Sequence, residues 1–260
     1  LSPYYPTRYR GYEGLTLTVL RAFYRMRVAR WSRRAGRPGR ALEIGCGHGL
    51  MLDALRAKGW RVKGLERTPE VAAEASRLFG LDVTAGDIGD LPETSAFDLI
   101  ILFNVLEHLP DPGRMLTECR KRLTPTGQLL ISVPNKASWQ ARFGKGLWVH
   151  LDAPRHLVHF DAVSLARALA ANGLAVARIS FVSPEHDPYG WVETANNRIT
   201  GNFNELTRYL MRLEPFSPKV LLSVLLGLAL GGPALLLSAS SWLMRTGAMM
   251  EVTAVTLPPS

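Results

Sequence analysis

The stretch Glu43-Ile44-Gly45-Cys46-Gly47-His48-Gly49 sets three glycines at alternate positions between a short apolar run, Ala41–Ile44, and a helix-forming segment, Leu50–Lys58. A strand that ends in such a loop and runs straight into a helix suits close approach by a ligand. Glycine lets the backbone turn tightly and leaves room where a Cβ would clash. The helix N-terminus adds unpaired N–H groups and a partial positive charge. Alone, the loop is compatible with a nucleotide-type cofactor or with a plain tight turn.

The pattern downstream alternates strand and helix. Arg61–Leu65 reads as a second strand, Pro69–Phe79 as a helix with proline in its first turn, and Leu81–Thr84 as a third strand. Phe97–Phe103 is a near-continuous apolar run, as expected of a central parallel strand covered on both faces. A helix over Gly113–Leu123, a strand over Gln128–Val133, a helix over Asp161–Asn172 and a strand over Ala175–Val182 follow, and Met249–Leu257 reads as a last strand. This alternation predicts a doubly wound α/β sheet.

Three features at fixed distances sharpen the reading of the loop. Glu66 closes the second strand, where a carboxylate can accept hydrogen bonds from both hydroxyls of a ribose. Asp87 follows the third strand and can meet an adenine amino group, with Ile88 packing on the ring. The fourth strand leads into Asn104-Val105-Leu106-Glu107-His108-Leu109-Pro110-Asp111-Pro112. A dinucleotide-binding reading explains the glycines but neither Asp87 nor this last stretch.

Together these features resemble the class I S-adenosylmethionine-dependent methyltransferases, especially their ubiquinone-biosynthesis-like small-molecule branch, over roughly residues 40–183. The resemblance implies a Rossmann-like seven-stranded sheet of order 3-2-1-4-5-7-6, with Met249–Leu257 as its closing antiparallel strand, and S-adenosyl-L-methionine as cofactor. It implies further that Glu43, Gly45, Gly47 and Gly49 form the methionine-side loop, that Glu66 holds the ribose, and that Asp87 and Ile88 hold the adenine. Asn104 would line the methionine end.

Methyl transfer is a displacement in which a sulfonium becomes neutral, so a protein mainly aligns the reactants and can remove a proton from the acceptor. Nucleic-acid amino-methylating enzymes carry an Asn/Asp-Pro-Pro-Tyr/Phe loop after the fourth strand. Asn104-Val105-Leu106-Glu107 stands here instead, which argues against a nucleic-acid substrate. Two histidine groups are candidates for proton removal: His108, and the stretch Asp152-Ala153-Pro154-Arg155-His156-Leu157-Val158-His159-Phe160-Asp161. His156 is the preferred base, Arg155 can meet an anionic group, and His159 holds the loop on the substrate side. Asp161 is expected to cap the next helix. Some ubiquinone-type relatives associate a Glu-x-x-Glu-His pattern with a divalent metal. Asn104 replaces the first glutamate, and no metal is expected. A purely structural role remains open for both histidine groups.

Charge and apolarity lie outside the alternating region. Residues 1–40 hold ten arginines against one acid, Glu13, so the net charge of +9 belongs to this segment. Residues 1–39 therefore read as a basic arm, helical over 14–35, suited to anionic lipid headgroups or nucleic acid, with a solvated helix face as the alternative. Residues 40–184 and 247–260 form the expected catalytic domain, with 185–246 as an insertion. Within it, Val220–Met244 carries no charge and is broken by Gly231-Gly232-Pro233. A buried helix pair, a single span or a membrane-dipping hairpin are all compatible with its length, and the need to return to a closing strand favours the hairpin. Two cysteines are too few for a disulfide framework and fit a reducing cytosolic setting, on the inner face of a cell membrane. The expected acceptor is a small molecule, lipid-like, isoprenoid or carrier-linked. A soluble metabolite or saccharide acceptor, a helical cap or dimer interface in place of a membrane segment, and a cofactor-binding protein without turnover are the alternatives. Nothing in the sequence sets an oligomeric state.

Overall fold

The computed structural model describes residues 14–35, 37–92, 94–210 and 214–257. In chain order the elements are α1 (Gly14–Ala35), β1 (Arg40–Ile44), α2 (Leu50–Arg56), β2 (Arg61–Glu66), α3 (Pro69–Phe79), β3 (Val83–Ala85), β4 (Phe97–Phe103), α4 (Pro112–Lys121) and β5 (Leu123–Pro134). Then follow α5 (Trp139–Gly144), α6 (Ala162–Ala171), β6 (Leu174–Ser180), α7 (Asp187–Thr200), α8 (Glu205–Leu210), α9 (Pro218–Leu243) and β7 (Met249–Thr256). The seven strands form one sheet of order β3-β2-β1-β4-β5-β7-β6, the order that the family resemblance implies. β7 runs antiparallel between β5 and β6.

The registers decide where a site can form. Ile44 pairs with Leu65 on one side and Leu102 on the other, so β1, β2 and β4 end level with one another. Glu66, the glycine loop and Asn104 thus emerge at a single sheet edge, beside the point where strand order reverses. β5 starts at Leu123 and not at Gln128, because its pairing to β4 resumes across an irregularity between Phe97 and Leu99. The Pro125-Thr126-Gly127 turn is absorbed into that irregular stretch.

Helix α1 is fastened to the sheet. Val28 and Trp31 are buried in a cluster with Ala41, Met51, Leu99, Ile101 and Leu130. Arg27 is only 2% exposed, forms ion pairs with Glu185 and Glu251, and lies over the Phe103 ring at 4.3 Å. The Trp31 indole donates to Glu251 Oε2 at 3.0 Å. A buried charge is tolerable only with such partners. The first part of the expected basic arm, residues 1–13, lies outside the described residues.

The expected hairpin at 220–244 is corrected by the structure: Pro218–Leu243 is one continuous helix with Pro233 inside it. Proline in a helix interior costs about 3 kcal/mol through its missing N–H and its clash with the preceding turn. Packing against α7 offsets this. Val220, Ser223, Ala234, Ser238 and Ser241 are buried along one side of α9, and a Cβ at Gly227 would already touch Val192 Cγ1 at 3.4 Å. Small residues on that side let the two helices approach closely. Both ends are tied: Asn196 Nδ2 donates to the Ser223 carbonyl at 3.2 Å, and the Trp242 indole donates to Asp187. Gly231-Gly232-Pro233 read locally is a break, and tertiary contact overrides it.

Replacing Arg27 with alanine leaves the buried Glu251 and the partly buried Glu185 without their cation. The expected loss is about 3–5 kcal/mol of unfolding free energy, read as a lower urea midpoint with an unchanged denaturant slope. A loss under about 1 kcal/mol, the range of surface pairs, would show that the ion cluster does not hold α1 to the sheet.

Candidate active site

At the carboxyl edge of β1, β2 and β4 the chain encloses a cavity of about 420 Å³, within the range of small-molecule sites. Its wall includes Glu43, Gly45, Gly47, Glu66, Asp87, Asn104, His108 and Arg155, eight of the residues singled out in the sequence. The glycine loop shapes one side. Gly45 has φ +68° and a Cβ there would stand 2.6 Å from Val105 Cγ2. Gly47 has φ +50°, and a Cβ there would meet nothing within 4 Å, so its open side belongs to the cavity. Gly49 instead caps α2 and lies against Leu81, outside the wall.

The acidic residues occupy three distinct environments. The Glu66 carboxylate accepts from the Gly47 amide at 3.1 Å and the Thr68 amide at 3.0 Å, bridging the two loops with one oxygen each. Glu43 is buried beneath them, and Oε2 has no hydrogen-bond partner. Burial, then the nearby Glu66 charge, raises the Glu43 pKa well above the usual carboxylate value. Asp87 is half-exposed, accepts from the Ile88 amide at 2.7 Å and pairs with Arg67 at 2.7 Å. Burial pulls its pKa up, but the hydrogen bonds of Arg67 and Ile88 outweigh this and hold it below the ordinary value. The Ile88 side chain is 3% exposed and packs in the main core, outside the cavity wall.

Opposite the glycine loop, Asn104 adopts φ +55°, and its buried Oδ1 has no hydrogen-bond partner. Beyond it the two histidine groups meet. The rings of His108 and His156 are 4.6 Å apart, edge to face, with His108 in the cavity wall and His156 outside it. His108 Nδ1 lies 3.0 Å from the Arg155 carbonyl and His156 Nδ1 lies 2.7 Å from the His150 carbonyl. A carbonyl only accepts, so both Nδ1 atoms carry the proton and both Nε2 atoms hold the lone pair. Burial lowers both imidazoles to a pKa of about 4, so they are neutral near pH 7. His159 Nε2 bonds the Leu151 carbonyl at 2.9 Å and fastens the loop, and Asp161 caps α6 by accepting from the Ser164 amide at 2.7 Å. Arg155 pairs with Asp152 at 3.2 Å.

Sequence reasoning missed Tyr24 and Arg67 and met Glu107 only as the second glutamate of the Glu-x-x-Glu-His comparison. Glu107 is 1% exposed, neither of its oxygens has a hydrogen-bond partner, and burial raises its pKa to about 8. Its carboxyl and one ring nitrogen each from His108 and His156 lie within 4.8 Å of one another, a donor set of the kind that holds a divalent cation. The backbone-bonded Nδ1–H of each imidazole is the second contact such ligands usually make. Tyr24 reaches the cavity from α1, and Arg67 follows Glu66. Neither carries a spacing signal, since α1 joins the wall only by tertiary packing.

A family profile described as a methyltransferase domain matches residues 18–179 of this chain. The ubiquinone biosynthesis O-methyltransferase of Xanthomonas oryzae pv. oryzae is 32% identical over 105 residues, 37% of this chain and 44% of that protein. A probable S-adenosylmethionine-dependent methyltransferase of Mycolicibacterium smegmatis is 33% identical over 146 residues, 55% of this chain and 54% of that protein. The matches thus span about half the length of these curated relatives. Among solved structures, a SAM-dependent methyltransferase from Archaeoglobus fulgidus superposes with a TM-score of 0.57 at 17% identity, covering 90% of this chain and 93% of the other. That likeness is one of fold.

The buried groups set a pH profile for stability. Burial lowers His108 and His156 to about 4 and His150 and His186 to about 3, from 6.5. Their stabilisation is complete above pH 6.5 and is lost as pH falls through the folded values. Burial raises Glu107 from 4.5 to about 8 and Asp187 from 3.8 to about 7. Their contribution is complete below the unfolded values and is lost as pH rises through the folded ones. Between pH 4.5 and 6.5 these slopes oppose each other, and Glu43, also raised by burial, adds to the carboxyl side. Above pH 6.5 only the carboxyl groups still titrate, so unfolding free energy should decline from roughly pH 7 toward 8.5. Glu107→Gln should flatten the alkaline limb, and an unaltered limb in that variant would show that Glu107 is not held neutral.

Proposed function

This chain belongs to the class I S-adenosylmethionine-dependent methyltransferases, and on that premise we propose that it methylates an oxygen of a small, lipid-like, isoprenoid or carrier-linked acceptor at a membrane surface. The observation that carries the reaction is the placement of neutral His108 in the wall of the cavity formed by the glycine loop. The residues fit the cofactor. Glu43 Oε2 and Asn104 Oδ1 are buried acceptors without hydrogen-bond partners in residues that line the cavity, suited to the ammonium of a methionine moiety. Such an ammonium would also favour ionisation of Glu43. Glu66, fixed by two amides, presents its remaining lone pairs to a ribose diol, and Asp87 borders the same space for an adenine amino group. When bound, the cofactor supplies an electrophilic methyl on a positively charged sulfonium.

The chain's own part is alignment and proton removal. Transfer of that methyl to an acceptor oxygen would leave the O–H proton strongly acidic. A weak base then suffices, and His108 Nε2 takes the proton. His156 stands behind His108 as a positioning residue, and His159 holds their loop. Arg155 borders the cavity where an anionic part of the acceptor would lie. The named activities of the ubiquinone-type relatives favour an oxygen nucleophile. The exposed apolar side of α9 favours a lipid-like acceptor and a membrane-facing role for the 185–246 insertion.

The Glu107–His108–His156 donor set, of which His108 borders the cavity, favours a second reading. Those residues would hold a divalent cation, which supplies polarisation of an acceptor oxygen. Turnover abolished by a chelator and restored by one divalent ion supports this reading, and turnover indifferent to chelation removes it.

Protein incubated with methyl-labelled cofactor and separated lipid and water-soluble extracts should place label in the lipid fraction. Label confined to the aqueous fraction would contradict the lipid-like acceptor. Glu66→Gln should weaken cofactor binding by roughly 10–100-fold by calorimetry, the scale of a lost charged hydrogen bond. His108→Ala should bind cofactor normally and lose at least about tenfold in kcat, since general-base assistance is typically worth 10²–10⁴-fold. Normal turnover in His108→Ala would dismiss it as the base.

A further inference from the structure

Helix α9 covers part of the protein with one side and leaves the other side bare. Only 17% of its most apolar window is buried. The exposed residues Leu221, Leu225, Leu228, Leu235, Leu236 and Leu243 recur at helical spacing and form one ridge along the helix. Leu228, Leu236 and Leu243 are 77%, 72% and 85% exposed. From Leu221 to Leu243 the ridge is about 33 Å long at 1.5 Å per residue.

The surroundings select among possible occupants. Taking 139–151 and 187–245 as a helical cap, its exposed charged side chains among the described residues are all cations: Arg142, Lys145, Arg198, Arg208, Lys219 and Arg245. Asp187 and Glu193 are buried and Glu205 is half-buried, while Glu214, 34% exposed, is neutralised by its ion pair with Arg208. Phe143, Ile199, Leu210 and Phe216, on α5, α7, α8 and the turn before α9, are further exposed apolar side chains of the cap. An apolar ridge with basic residues and no unpaired exposed acid is complementary to an anionic bilayer. A like-charged second copy would place the cations against each other.

Geometry also sets the pose. A helix of 26 residues is long enough to cross a bilayer. The buried side of α9, however, is packed on α7 toward both of its ends, through the Asn196–Ser223 and Trp242–Asp187 hydrogen bonds. The chain then enters β7, between β5 and β6 in the middle of the sheet's second half. Crossing would strip α9 from α7 and pull β7 from its neighbours.

We propose that α9 lies lengthwise in the headgroup region of an anionic bilayer, its leucine ridge inserted in one leaflet and the cap's cations on the phosphates. This rests on the membrane-surface reading above and specifies its contact and lipid class. The pose holds the catalytic sheet on one side of the membrane.

The test is co-sedimentation of the full chain with vesicles of phosphatidylcholine alone or with about 30% phosphatidylglycerol, at low and high salt. The expected result is binding at least about tenfold stronger to anionic vesicles and weakened by salt. Leu228→Glu with Leu236→Glu should abolish binding, while Arg142→Gln with Lys145→Gln should reduce it only for anionic vesicles. Both double variants should keep the wild-type urea midpoint and cofactor affinity, because the altered side chains are exposed. Equal binding by the leucine variant, or resistance of wild type to alkaline carbonate extraction, would overturn the proposal. So would a dimer in free solution that the leucine variant dissociates, without vesicle binding. Vesicle binding with label only in aqueous products would defeat the acceptor reading and leave this one standing. Labelled lipid product without vesicle binding would do the reverse.

Discussion

Backbone at Gly45 and Gly47 in left-handed conformation, clamped by the Gly47 amide on the Glu66 carboxylate, is the constraint around which the catalytic edge is organised. The loop brings β1 into α2 within a few residues, so the N-terminus of α2 faces the cavity. Glu66 reaches the loop only because β1 and β2 end in register. A side chain at Gly45 would collide with Val105, which ties the loop to the segment after β4. Glycine loop, acidic strand end and Asn104–His108 segment therefore behave as one unit, and disturbing any one should displace the others.

The second half of the chain is joined to that unit by buried polar contacts. Arg27 joins α1 to Glu185 before α7 and to Glu251 on β7, and lies on Phe103 of the cavity wall. Asp187 joins α7 to the end of α9 just before β7. The N-terminal helix, the apolar helix and the closing strand are thus mutually fixed through side chains that are costly to leave unpaired.

Much of the sheet was legible because its signals are local. The Glu43–Gly49 loop, the apolar Phe97–Phe103 run and the Asp161 cap each depend on residues within a few positions, and each is found where the sequence places it. Long-range placement was not legible. His156 was expected to face the substrate, whereas the cavity wall holds His108 with His156 behind it. Ile88 and Gly49 sit in packing positions, since their neighbours Leu81 and the main core come from distant elements. Glu107 was visible only as the second glutamate of a Glu-x-x-Glu-His comparison that Asn104 breaks, and its burial without a partner is defined by what folds around it. Gly231-Gly232-Pro233 misled for the same reason: only contact with α7 shows why the helix continues.

The central claim, that the glycine-loop cavity is built for an adenosyl amino-acid cofactor of the S-adenosylmethionine type, is most directly tested by calorimetric titration with S-adenosylhomocysteine and, separately, with NAD. Binding of one S-adenosylhomocysteine per chain, reduced by the Glu43→Gln and Asn104→Ala substitutions and absent for NAD, is the predicted result. Binding of NAD in its place, or S-adenosylhomocysteine affinity indifferent to both substitutions, would contradict the account.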